Sequence, residues 1–92
     1  MTTPPPDIDT IIEHLARHRQ RATYGALADL VGGVARSVMG RHPRAPRNSW
    51  VVSAATGEPT GYADHEKDPA LRANPRVIAT AEDLRRWLRD VA

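Results

Sequence analysis

A chain of 92 residues with 40% apolar and 26% charged side chains has the length and balance of one small globular domain, with little room for a deep enzyme cleft. The absence of cysteine excludes disulfides, thiolate nucleophiles and cysteine metal sites, and no apolar run is long enough to span a bilayer. The formal net charge is only +2, yet between Arg17 and Arg47 seven arginines stand against one acid, Asp29.

Residues 1–6 read as a disordered or extended arm, because three consecutive prolines forbid a helix. Residues 7–92 read as a single domain. Asp7 can cap a first helix, in which Ile8, Ile11, Ile12, Leu15 and Ala16 form one apolar stripe ending near Gln20. Glu13 and Arg17 face each other one turn apart on its outer side. Thr23 is a candidate N-cap for a second helix, Tyr24 to Val31, which Gly32-Gly33 ends. Val34 to about Arg41 is expected as a third helix, with Val34 and Val38 inward and Arg36 and Ser37 off the buried stripe.

His42 to Ser49 is a loop rich in arginine and proline. Trp50 to Val52 begins a strand, Thr56 to Pro59 turns, and Thr60 to Tyr62 returns as the second strand of a hairpin wing. Residues 63–75 read as polar and irregular, with a single helical turn around Pro69 to Arg72. Arg76 to Ile78 is a short strand candidate. Thr80 starts a last helix, with Leu84, Trp87, Leu88 and Val91 inward. Three N-terminal helices, a β-hairpin wing and a C-terminal helix describe a small winged-helix-like α+β domain.

A short helix, a glycine turn and a second helix rich in arginine is a shape that docks on DNA. The charge is also uneven. Glu58 to Asp68 holds four acids and one lysine, so one electropositive face is expected rather than a uniformly basic surface. Arg41, Arg44 and Arg47 form a loop cluster suited to phosphate, although such clusters are often merely solvated. His14 and His18 lie one turn apart, but no third ligand accompanies them, so no metal site and no cofactor are expected. No Ser/His/Asp arrangement and no phosphate-cradling glycine loop stands out, so no catalytic residue is assigned.

Three pieces of the chain resemble the C-terminal DNA-binding domain of the alkylguanine-DNA alkyltransferases and their non-catalytic relatives, the alkyltransferase-like proteins. Thr23-Tyr24-Gly25-Ala26-Leu27-Ala28 is similar to the family's TYGEIA. Ala35-Arg36-Ser37-Val38 is similar to its ARAVG. Val51 to Tyr62, VVSAATGEPTGY, is similar to RVVGADGSLGGY. Together with the stretches between them they cover about 40 of the 92 residues, in the family's order. The resemblance implies that Tyr24 contacts a backbone phosphate and that Arg36 enters the duplex where a damaged base is flipped out, partly offsetting the lost stacking. The family's PCHRV box is missing. Matching Val51-Val52 to its VV places Asn48 at the reactive cysteine, whereas matching His42-Pro43 to its NP places Trp50 there. In either register no thiolate exists to accept an alkyl group.

The expectation is therefore a non-catalytic, cytoplasmic protein, with no secretory signal read at its start, that binds double-stranded DNA. Its candidate DNA-binding residues are Tyr24, Arg36, Ser37, Arg41, Arg44, Arg47 and Trp50, and modified or damaged bases are its candidate targets. Trp50 as a base-stacking wall competes with Trp50 as a core residue at a strand start. Two alternatives stand beside this reading: an adaptor contacting another protein through the acidic 58–68 segment, and an ordinary winged-helix transcriptional regulator. No membrane contact is expected.

Overall fold

A computed structural model describes residues 7–34, 38–40 and 42–91. Helix α1 spans Ile8–His18 and is capped as its sequence implies. The Asp7 carboxylate accepts the Thr10 N–H at 2.7 Å, and Arg19 closes the helix in the left-handed conformation at φ 55°. Ile11, Ile12 and Leu15 of this helix are fully buried.

The chain then enters strand β1, Arg21–Thr23, a strand not expected from the sequence. Thr23 ends the strand and caps α2, Tyr24–Val31, its hydroxyl accepting the Ala26 N–H at 3.0 Å. Gly32 terminates α2 at φ 82°, a conformation that costs glycine little.

The expected third helix is not found among the described residues of its span. Val34 lies outside any helix and is 65% exposed, contrary to the inward placement, and residues 38–40 form a turn. Val38 is buried as expected. Arg36, Ser37 and Arg41 lie outside the described residues. The span holds Gly40 and leads into His42-Pro43, where helical backbone is disfavoured.

A 3-10 turn at Pro46–Trp50 delivers β2, Val51–Val52. The expected hairpin wing does not form. β2 pairs with β1 in parallel, Ala22 opposite Val51 and Thr23 opposite Val52. Thr60 and Gly61 lie in a turn, and Tyr62 follows outside any strand. Ser53 to Glu58 instead closes on itself, the Ser53 N–H donating to the Glu58 carbonyl at 2.9 Å. Pro59 explains part of this, since a proline beside the return strand removes a ladder donor.

Further 3-10 turns at Asp64–Glu66 and Pro69–Ala73 lead to β3, Val77–Ile78, the short strand expected there. It adds to the other edge of β1, with Arg21 opposite Val77 and Ala22 opposite Ile78. The sheet order is β2-β1-β3. Parallel neighbours need long crossovers, and here α2 with the basic loop supplies one and residues 53–76 the other. Helix α3, Ala81–Val91, packs against α2, its first turn held by the Asp83 N–H to the Thr80 hydroxyl at 3.1 Å. Leu84 is fully buried, while Trp87 and Leu88 are half-buried at the core's edge.

Among the described residues the result is a compact α+β domain with three α-helices and a three-stranded parallel sheet. Its core joins Ile11, Ile12, Leu15, Leu27, Trp50, Val51 and Leu84. Each such side chain taken from water contributes about 1.5–3 kcal/mol. Among the described residues, no helix is long and apolar enough to cross a membrane.

Candidate nucleic-acid interface

The arginine-rich segment does not present all its charge to one side. Arg17 pairs with Glu13 at 3.1 Å along α1. Arg21 is 7% exposed and points inward. Its Nε donates to the Asn74 carbonyl at 3.1 Å, its Nη1 to Gly57 at 2.5 Å, and its Nη2 to Leu71, with the Glu58 carboxylate 3.6 Å away. Arg21 is therefore a structural staple that fastens two loops to the central strand. The charge available to a partner is smaller than the seven arginines suggest.

The loop from His42 to Arg47 is folded around one carbonyl. Pro43 O accepts the Ala45 N–H at 2.9 Å, the Asn48 Nδ2 at 2.8 Å and the Tyr62 hydroxyl at 3.4 Å. Pro46 then opens the 3-10 turn that carries Asn48, Ser49 and Trp50 inward. Asn48 is 4% exposed, and its Oδ1 accepts Arg47 Nη1 at 3.3 Å. Arg47 also donates to the Asp9 carbonyl at 2.9 Å. Arg44 is exposed and lays its guanidinium over Gly61, where an added Cβ would come within 3.1 Å of Nη2. Gly61 has φ 75°, so both its backbone and its neighbour favour glycine.

Beside this loop lies an open cleft of about 620 Å³ lined by Tyr24, Met39, His42, Arg44, Asn48, Thr60 and Tyr62, among others. The Tyr24 hydroxyl accepts the Thr60 N–H at 3.0 Å, tying the start of α2 to the far wall. Tyr62 forms that wall. Burial raises its phenol above the ordinary value of 10.0, nearby Tyr24 adding to the rise and the Arg44 guanidinium opposing it. The cleft thus offers two phenol rings, one exposed guanidinium and a buried carboxamide. Such a set suits a planar, partly polar group carrying negative charge nearby.

Of the residues singled out in the sequence, Tyr24 and Arg44 line the cleft, and Arg47 stands behind it, turned toward α1. Trp50 does not belong to the site. It is fully buried and donates its indole N–H to Asp68 Oδ2 at 3.1 Å, so the core reading of Trp50 replaces the stacking one. Of the two registers, the one centred on Asn48 places a residue at the cleft; the one centred on Trp50 places a residue in the core. Sequence reasoning did not select Tyr62, His42 or Met39. Tyr62 ended the third resemblance segment, but no periodicity marks a residue brought to a cleft by a loop.

The acids of the 58–68 segment are largely used internally. Lys67 lies 3.9 Å from Glu58 and 3.8 Å from Asp64. Glu66 accepts the Ala63 N–H at 2.7 Å, and Asp68 holds both the Trp50 indole and, at 2.9 Å, the Ala70 N–H. His14 and His18 stack with ring centroids 6.3 Å apart and planes 19° from parallel, which does not aim two nitrogen lone pairs at one point. Among the described residues no group of three or more histidines and carboxylates converges on a metal position.

No family model matches the chain, and neither a curated protein nor a solved structure matches it.

Proposed function

We propose that this protein is a non-catalytic, cytoplasmic DNA-binding module with a winged-helix-like arrangement, in which the loop from Ser53 to Tyr62 takes the place of the wing. The observation that carries the reading is the meeting of Tyr24, Arg44, Asn48 and Tyr62 around one open cleft at the edge of the basic loop. The segment bearing Arg36, Ser37 and Arg41 lies between α2 and that loop in the chain, so its cations belong to the same reading. Arg44 and Arg36 contact phosphates or a groove, Tyr24 steadies the backbone, and the cleft receives a base that has left the stack. Modified or damaged bases are favoured there because their unpairing costs less. Asn48 lacks a nucleophilic sulfur, so the encounter ends in binding rather than transfer.

The test is charge reversal at Arg36 and Arg44, singly and together, with the thermal melt confirming an intact fold. Binding of a labelled duplex should weaken at each step and its salt dependence should shrink by about one unit per lost phosphate contact. Unchanged affinity in both variants would favour a protein-interaction role instead. Comparing duplexes with and without one alkylated guanine then separates lesion recognition, which predicts tighter binding of the modified duplex, from ordinary groove binding, which predicts none.

A further inference from the structure

We propose that Asp9, on α1 and outside the basic segment, is the positioning residue that shapes the basic loop and holds its affinity for phosphate in check. This rests on the reading of the loop as a DNA contact. Asp9 has no role as the helix cap, because Asp7 fills it. Its side chain is 73% exposed, off the buried face of α1. It nevertheless meets both ends of the loop. Its Oδ1 lies 3.2 Å from His42 Nε2 and 3.8 Å from Arg47 Nη1. Its own carbonyl accepts Arg47 Nη2 at 2.9 Å.

The consequence reaches the cleft through a chain of contacts. Arg47, held by Asp9, donates to Asn48 Oδ1, and Asn48 in turn donates to the Pro43 carbonyl around which the loop folds. Arg44 rides between the two anchored ends and stays exposed. Asp9 thus orients one cation for a partner while occupying another. A phosphate that engages Arg47 must displace or share it with a carboxylate. That exchange is feasible, since exposed ion pairs of this kind are weak. An asparagine at this position keeps an acceptor for His42 and leaves the backbone contact to Arg47 in place. Only the negative charge is lost.

The experiment compares the full chain with the D9N, R47A and D9N/R47A variants, titrating a labelled duplex of about 20 base pairs across a salt series. D9N should bind roughly threefold tighter near 50 mM salt, with a steeper salt dependence by up to one unit. R47A should abolish the gain, so that the double variant matches R47A alone. An equal gain from D9N with and without Arg47 would overturn the proposal, since it would reflect net charge only. Unchanged or weaker binding by D9N, with the wild-type chain binding normally, would also overturn it while leaving the DNA reading intact. Failure of all four proteins to bind would overturn both. The side-chain N–H signal of Arg47 in an NMR spectrum gives an independent check. It should be dispersed in the wild-type chain and shift without collapsing in D9N, where the Asp9 carbonyl and Asn48 still hold the guanidinium, and a collapsed signal in the wild type would contradict the contact itself.

Discussion

Trp50 and Arg21 illustrate how burial decides what a residue does. Trp50 has the ring that a base-stacking wall would use, but its neighbours are apolar and its one polar atom has a protein partner in Asp68. Replacing it with alanine removes the largest side chain of the core and takes from the Asp68 carboxylate one of its donors, leaving it the Ala70 N–H. Trp50→Ala should cost about 3–5 kcal/mol in chemical denaturation. Trp50→Phe should cost less, because most of the volume stays. A loss below about 1 kcal/mol for the alanine variant would mean that the ring is not in the core. Arg21 makes the complementary point. Its guanidinium satisfies three carbonyls from distant loops, so charge counted in the sequence becomes cross-linking in the fold. The sequence offered the core as one of two readings of Trp50 and counted Arg21 only among the basic residues. The partners of both side chains lie 18 to 53 positions away in the chain.

At the level of elements, what the sequence made legible follows from how local each signal is. α1, α2 and α3 were readable because apolar spacing and capping residues sit within each helix, and their observed caps use the expected Asp7, Thr23 and Thr80. The parallel sheet was not readable. β1 is only three residues long, and its pairing with β2 and β3 is decided by segments far along the chain. A hairpin is the local solution, and it yields here to a buried central strand paired on both edges. The cap of α1 also carries a pH signature. Hydrogen bonds from Thr10, backbone first and hydroxyl second, hold the Asp7 carboxyl below its ordinary value of 3.8. A depressed folded value means that the cap contributes fully above about 3.8 and fades as pH falls through the lower folded value. Exchange protection of the Thr10 amide should therefore drop on acidification in the wild-type chain. In Asp7→Asn, whose carboxamide caps at any pH, protection should not change over that range, and an identical acid response in both would remove Asp7 as its source.

For the molecule as a whole, the small net charge conceals a division of labour. Acids of the 58–68 segment are absorbed by Lys67, the Trp50 indole and backbone donors, while the 42–47 loop keeps Arg44 exposed beside an open cleft. Half of that cleft's lining was named from the sequence: Arg44 from the charge of its loop and Tyr24 from the family resemblance. The other half, Tyr62 and the cleft itself, arises when two loops close around the Pro43 carbonyl, which no single-segment pattern encodes. In the function proposed above, this face binds duplex DNA through phosphates without chemistry. The most direct measurement is fluorescence anisotropy of a labelled duplex titrated with the wild-type chain, repeated from about 50 to 200 mM salt. Saturable binding whose logarithm falls linearly with the logarithm of salt, by several units of slope, is the predicted result. A flat titration at the lowest salt, or an affinity indifferent to salt, would contradict it.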